Sequence, residues 1–494
     1  MSAADQYTFF VNGAPSATIP HPGPDVEVLA HLPLLAHDRP AHVLVMGGGA
    51  GGLIRELLKH PVAEVAYAEQ DPLLLETYRR FPTPLTTMEL THPAVTLHPV
   101  EGRLFLRQEQ ARWDVILLNL PAPATLMLNR YYTQEFFALA RSRLADGGTL
   151  AFFLPGSETL LSPELAALNG SILAALRAVF RHVRVLPGDP TLFVAGDGEA
   201  LDRAWQTATL SRRLQERGIQ AGLVTEAYIE YRMSRERFGD LLGALATDAP
   251  ANRDGLPRGT FASMRIFSRV VSPAAARALA FLDGVPVSAH LAGIACVVAG
   301  LLVLQALQRR PRYVAYAAAS TGFTGMLMTV VLLLAFQVQY GDVYQYLGLL
   351  TALFMVGAAA GAAAGARRGG KPLLAVESGL VLIALLGYAG AAWQPPAHLW
   401  LASIFGLMVL TGGAVGAQYP ALVARVATEH AGVGSAAATI YALDLAGAVA
   451  GAAVAGVVLI PTIGMPMTLL LAAVLKTGSV VLILAAPRPT SAGG

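Results

Sequence analysis

The residues with the clearest chemical potential sit in one run, HVLVMGGGAGGLIREL, from His42 to Leu57. Gly47, Gly49 and Gly52 fit the spacing G-x-G-x-x-G between an apolar run that reads as a buried strand and the first turns of a helix. Glycines there let a backbone approach a ligand closely and present helix N-terminal amides to it; glycine-rich turns also occur for packing alone. One strand later AYAEQD ends in Glu69. An acid at the end of a second strand can accept hydrogen bonds from a ribose diol; the competing reading is a solvated strand-end acid. Glu101, in PVEGRLF at the end of a third strand, either accepts from an adenine amino group or is a surface acid in a turn. In this order the three features point to a nucleoside.

The elements that must position these residues alternate regularly. HVLVMG, EVAYAEQD, VTLHPVEG, WDVILLNL and GTLAFFLP read as short buried strands, and LIRELLKH, LLLETYRRF, LFLRQEQ and TQEFFALARSRL as amphipathic helices between them. That alternation predicts a parallel, doubly wound α/β sheet of Rossmann type, with the glycine turn at the carboxyl end of its first strand. Ahead of it, YTFFVNGAPSATIP predicts a β-hairpin turning at Asn12-Gly13, and EVLAHLPLLAH a helix. After it come one more helix, a closing antiparallel strand pair, and a small helical addition over about 205–250.

Composition divides the 494 residues in two. Charged residues make up only 14% and mean hydropathy is +0.52, against about 25% charged in an average globular protein. The deficit lies beyond about residue 286, where seven apolar runs recur at about 286–307, 314–338, 343–366, 373–393, 399–424, 435–460 and 466–486. Each is long enough to span a bilayer. The predicted organisation is a soluble domain over 1–265 (hairpin about 7–20, core about 40–200), an amphipathic linker over 266–285 carrying Arg265, Arg269 and Arg277 at or near it, and a multi-pass transmembrane domain over 286–494. A net charge of +2 argues against nucleic acid as a partner, and a single cysteine, Cys296, excludes disulfides and cysteine-ligated metal; no metal is expected.

The segment from Tyr7 to about Pro155 resembles the spermidine synthase (polyamine aminopropyltransferase) family, through FFVNG, EVLAHLPLLAH, VLVMGGGAGGLIRELLKHP, AEQDP and WDVILLNLPAPATLMLNRYYTQEFFALARSRLADGGTLAF, in order and spacing. The resemblance implies a methyltransferase-like Rossmann fold binding decarboxylated S-adenosylmethionine, or S-adenosylmethionine itself, through Gly47–Gly52, Glu69 and Glu101, the last replacing an aspartate. It also implies acids where this chain has none. The family's GGGDGG reads GGGAGG, with Ala50 for Asp; its D-x-x-D-P reads NLPAP, with Asn119 and Ala122 for the two acids; its Tyr-His pair reads Asp25-Val26. Aminopropyl transfer needs a base to deprotonate the attacking amine. An amide and two alanines supply none, so ordinary spermidine synthesis is not expected. Asp71 and Asp114 are acids nearby but off the family's position, with Asp114 a structural strand-start acid; His31 reads as packing or capping, Tyr131 and Tyr132 as pocket lining, and Thr133 with Glu135 as a helix start.

The second half resembles the membrane region of fused, major-facilitator-like spermidine synthase homologues, through TGFTGMLMTVVLLLAFQVQYG, LGLLTALFMVGAAAGAAAGARRGGK and IYALDLAGAVAGAAVAG. Gly357, Gly361 and Gly365 form a doubled G-x-x-x-G that permits close helix contact. Glu377, Asp444 and Lys476 are ionisable residues in or near the spans, and Asp444 with Lys476 is the expected pair, structural or linked to a proton or substrate. The basic loops QRRPRY, ARRGGK and ARVATEH alternate with nearly uncharged ones; positive-inside logic with seven spans then puts the soluble half outside. The adenosyl ligand, the absence of an export signal in the opening residues and Arg265, Arg269 and Arg277 favour the cytoplasmic side of what would be a bacterial inner membrane. Three functions fit: a membrane-anchored transferase with an atypical base, a non-catalytic assembly module of a membrane complex, and a ligand-sensing half-transporter. The partners expected are the lipid bilayer and either a second copy of the chain or a membrane-complex subunit.

Overall fold

Strands rich in Val, Leu and Ala form where both faces of a sheet are covered, and the apolar runs of the first half do so. The computed structural model describes residues 2–486 apart from 4–5, 12–13, 20–22, 24, 234, 246–248, 309–312, 342–343, 369–372, 394 and 428–432. Its strands are β1 (His42–Met46), β2 (Glu64–Ala68), β3 (Val95–His98), β4 (Trp113–Leu118), β5 (Leu144–Leu154), β6 (His182–Leu186) and β7 (Thr191–Gly196). They make one sheet in the order β3-β2-β1-β4-β5-β7-β6, parallel except for β7, which runs antiparallel to both neighbours. Met46 aligns with Ala68 on one side and Leu118 on the other. The strand order reverses between β1 and β4, which opens a crevice at their carboxyl ends where such sheets hold ligands.

Each sheet face has its own core. Helix α1 (Asp25–Ala36) buries Val28 through Ala36 on one face, with Val43, Val45 and Tyr67. The other face stacks Phe137 on Phe152 and Phe152 on Phe193. Ahead of the sheet, Gln6–Val11 and Ala14–Ile19 pair antiparallel; the turn expected at Asn12-Gly13 lies outside the described residues. Helices Thr207–Glu216, Glu226–Met233 and Arg235–Leu245 form the helical addition.

The chain divides into two compact units, Met1–Asp254 with Arg258–Phe267, and Gly255–Pro257 with Ser268–Gly494. The second is helical: α2 (Val287–Gln308), α3 (Tyr313–Tyr340), α4 (Tyr344–Arg367), α5 (Leu373–Trp393), α6 (Ala397–Ala427), α7 (Val433–Val454) and α8 (Ile460–Leu484). Among the described residues six helical stretches are long and apolar enough to cross a membrane, not the seven marked in the sequence, because the last two runs join into one stretch of 52 residues, Val433–Leu484. The join passes through a π-helical segment, Ala455–Leu459, and is interrupted at Gly464, whose φ of 85° and ψ of 163° are not helical. A methyl group at Gly451 would lie 2.9 Å from Phe323 Cα, and Lys476 Nζ donates to Thr321 Oγ1 at 2.7 Å. Residues that would stand about 38 Å apart on a straight helix thus reach the same level of α3, so the chain doubles back between them.

Small residues set the closest helix contacts. The glycines of α4 face α6: a methyl at Gly365 would lie 2.7 Å from the Ala417 carbonyl oxygen, and one at Gly357 3.0 Å from Gly413 N. The doubled G-x-x-x-G therefore joins two helices of the same chain.

Candidate functional site

The glycine loop leaves β1 at Met46, and its backbone explains the composition. Gly47, Gly48, Gly51 and Gly52 all have positive φ, from 53° at Gly48 to 120° at Gly52. Gly49 is needed for closeness instead: an added methyl would meet the Tyr67 ring at 2.8 Å.

The loop's amides are met by the protein's own side chains. Gly48 N donates to Glu69 Oε2 at 3.3 Å, and the Tyr67 hydroxyl accepts from the Gly49 amide. Gly51 N and Gly52 N donate to the two carboxylate oxygens of Glu89 at 2.7 and 2.8 Å, and Arg55 N adds a third bond at 3.0 Å. Glu89, fully buried, comes from the helix Pro84–Thr91, which begins with a Thr83–Thr86 capping box. Burial pushes its carboxyl pKa up while the three amides pull it back. Sequence reasoning missed Glu89; its one signal is an acid in an otherwise uncharged helix, PLTTMELT.

Glu69 stands just past β2 and is 6% exposed. Its Oε2 also accepts from the Tyr67 hydroxyl at 2.7 Å, and Oε1 accepts from Asp71 N at 3.1 Å. A carboxylate offers about four acceptor positions, so three are used and one remains. Burial and the neighbouring Glu69 push the Tyr67 pKa well up, so this phenol stays a donor.

Glu101 is a buried helix N-cap, not a surface acid in a turn. Its carboxylate accepts from Arg103 N at 3.0 Å and Leu104 N at 2.8 Å, and from the Tyr131 hydroxyl. The Arg130 guanidinium lies 3.7 Å away. Burial, then Glu101 itself, raises the Tyr131 pKa well above the usual phenol value. Tyr132 is also buried and braces the segment after β4, donating to the carbonyls of Leu120 and Pro121 at 3.0 Å each.

Asn119 follows β4 and lies across the loop from Glu69. Its Nδ2 donates to the Gly48 carbonyl at 2.7 Å, and its backbone N to the Met46 carbonyl at 3.1 Å. Ala50 is 4% exposed and packs in the core beneath the loop, while Ala122 is half-buried. None of the three can take a proton near neutral pH. The other polar residues have framework contacts. Asp114 accepts from Ala41 N and His42 N, Asp71 and Thr133 cap helices, and Glu135 accepts from Asp254 N at 2.9 Å. His31 bridges His60 and Glu56 at 2.9 and 3.1 Å.

The segment over 252–259 is ordered around two side chains. Fully buried Asn252 donates to Asn129 Oδ1 and the Tyr132 carbonyl and accepts from Gly259 N. Asp254 forms a bidentate pair with Arg103, two residues after Glu101, and accepts from Thr133.

In the helical unit Lys476 is paired with Glu377, at 2.5 Å, and not with Asp444. Lys476 Nζ also donates to Ser320 and Thr321, and Gln418 donates to Glu377. Lys476 and Glu377 are both fully buried. The pairing follows from packing: α8 lies against α5 and α3, which carry Glu377 and the two hydroxyls, an adjacency that order along the chain does not reveal.

The strand order, the glycine turn at the β1–β4 reversal and the acid after β2 define a Rossmann-like fold of methyltransferase type. Residues 25–185 match the family profile for the spermine/spermidine synthase domain, so the N-terminal part of the chain is similar to that domain. It is 35% identical over 124 residues to the polyamine aminopropyltransferase of Korarchaeum cryptofilum, covering 25% of this chain and 38% of that protein. It is 38% identical over 123 residues to the spermidine synthase of Dictyostelium discoideum, covering 25% and 43%. The chain thus spans less than half the length of these curated relatives. Of solved structures, the spermidine synthase of Thermotoga maritima aligns with 20% identity and a TM-score of 0.39, over 47% of this chain and 80% of that one.

Proposed function

We propose that the first unit binds an adenosyl nucleoside, S-adenosylmethionine or its decarboxylated form, at the carboxyl ends of β1, β2 and β4, and that the second anchors it by seven crossings of a membrane. The observation that carries the reading is Glu69, held by the loop it would serve and by Tyr67, with one acceptor position left for a ribose hydroxyl. The occupied amides fit this ligand class. A dinucleotide pyrophosphate needs free N–H groups at the helix start, and Glu89 has taken them; an adenosyl sulfonium brings no phosphate. Glu101 holds a helix start beside the adenine side of such a ligand and acts through position, with Tyr131 fixed against it.

Ordinary aminopropyl transfer is not part of the proposal. Asn119, at the family's base position, is an amide committed to Gly48, and no acid stands at Ala122 or Ala50 to hold a polyamine. The same occupied loop also favours a second reading, a non-catalytic module whose glycine turn is now framework.

The test is thermal unfolding of the full chain in detergent with millimolar S-adenosylmethionine, its decarboxylated form, or ADP. A rise with either adenosyl compound and none with ADP supports binding; no rise with any of them leaves the module reading. Spermidine formation from putrescine and decarboxylated S-adenosylmethionine by the unaltered protein would overturn the loss of base chemistry.

A further inference from the structure

Ahead of α2 the chain makes two short helices, Arg258–Val271 and Pro273–Asp283, joined at Ser272, whose side chain caps the second by accepting from Ala275 N at 3.3 Å. The first half of the first helix is buried, through Phe261 and Ala262. Its last turn is the reverse: Phe267, Val270 and Val271 stand at i, i+3 and i+4, and the two valines are 83% and 84% exposed. On the second helix Ala274, Ala278 and Phe281, at i, i+4 and i+7, are all exposed, Phe281 by 74%. That spacing gathers apolar groups on one side of each helix. Among these exposed apolar groups stand two exposed guanidinium side chains, Arg269 and Arg277. Three residues separate Asp283 from the helix α2, which is long and apolar enough to cross a membrane.

We propose that residues 267–283 lie along a phospholipid surface, Phe267, Val270, Val271 and Phe281 in the acyl boundary and Arg269 and Arg277 among anionic headgroups. Two arguments select lipid over a protein partner. The segment runs into a helix of spanning length after only Gly284–Pro286, so its end is held at the depth where hydrocarbon gives way to headgroups. Its composition, large apolar groups on one side with arginine as the flanking charge, is that of helices lying in the interface plane. The short Ser272 joint, where φ is −151° and ψ 101°, lets each helix settle on the surface separately.

The experiment uses the full chain in nanodiscs of phosphatidylcholine and phosphatidylglycerol at three to one. Cys296 is the only cysteine; in a Cys296→Ser background, Val271→Cys and Phe281→Cys carry a fluorescent label, with Arg212→Cys, exposed on the soluble unit, as the aqueous control. Acyl-brominated lipid should quench the labels at 271 and 281 at least threefold more than the control, and aqueous iodide should do the opposite. Omitting phosphatidylglycerol should reduce lipid quenching at 281, and Arg269→Gln with Arg277→Gln should abolish that dependence. Iodide quenching at 271 and 281 equal to the control overturns the proposal. So does energy transfer between labels on two copies without lipid quenching, which would mean that a second chain covers the face. Lipid quenching indifferent to headgroup charge overturns the role of the arginines.

Discussion

Glu89 is the acid on which the glycine loop depends. Three amides, those of Gly51 and Gly52 buried and that of Arg55 partly so, end on its carboxylate, and a buried N–H left without an acceptor costs about 1–3 kcal/mol. Glu89→Ala should therefore destabilise the protein by about 2–5 kcal/mol and abolish the proposed adenosyl binding, whereas Glu76→Ala, an exposed acid, should change neither; thermal unfolding with and without S-adenosylmethionine reads both. A second buried cluster sets a pH dependence. Burial, and then the neighbouring His31, push the His60 pKa from the ordinary 6.5 down to about 2. The unfolded chain takes up that proton below about pH 6.5 and the folded one does not, so stability falls as pH drops from there toward 2. Burial opposes ionisation of Glu56, but His31, Lys59 and Arg55 outweigh it and hold its pKa at about 2 against 4.5; its share is present above 4.5 and is lost from there toward 2. The unfolding midpoint should fall between pH 7 and 5, and His60→Gln should flatten that interval while leaving the fall below pH 4.5.

At the scale of elements, the α4–α6 contact is made of backbone touching backbone. Without a hydrophobic drive between helices in lipid, such contact rests on dispersion and on small residues that permit it. At Gly361 the nearest atoms to an added methyl are those of Gly413, its carbonyl oxygen first, while Gly379 on α5 has open space. Gly361→Val should force the two helices apart and lower the unfolding midpoint of the detergent-solubilised protein by several degrees, whereas Gly379→Ala should leave it unchanged. Equal behaviour of the two variants would show that the contact carries no stability. In the sheet, the corresponding close approach joins Asn119 to Gly48. An aspartate at 119 could not donate to the Gly48 carbonyl, so Asn119→Asp costs a loop bond.

For the whole molecule, the Glu377–Lys476 pair ties α5 and α8 to hydroxyls on α3 and to Gln418 on α6. Breaking a buried pair strands a charge and costs about 3–5 kcal/mol, while removing both charges together is often neutral. Glu377→Leu and Lys476→Met should each be severely destabilising, and the double variant should recover most of the loss. Failure of the double variant would assign the pair a role beyond structure. The doubling back near Gly464 has a topological consequence for the proposed anchoring: seven crossings would put Arg212 and residue 486 on opposite sides of the membrane. Cysteine labelling at Arg212 and near residue 486, with a membrane-impermeant reagent on sealed vesicles, should modify one and spare the other. The same labelling decides between the external side that positive-inside logic expects for the first unit and the cytoplasmic side.

The sequence by itself determined what depends on neighbours along the chain. The strand–helix alternation, the glycine turn with Glu69 one strand later, the family likeness and the apolar runs are local patterns, and hydrophobic period and turn chemistry are local physics. Tertiary structure alone decided the partnerships. Glu89, 37 residues from Gly52, holds the loop; Glu101 became a buried cap because Tyr131 and Arg130 close over it. Lys476 chose Glu377 over Asp444. A buried charge must be matched by whatever donor or acceptor the packing brings within reach, and that distance is a property of the folded helices and strands, not of their order.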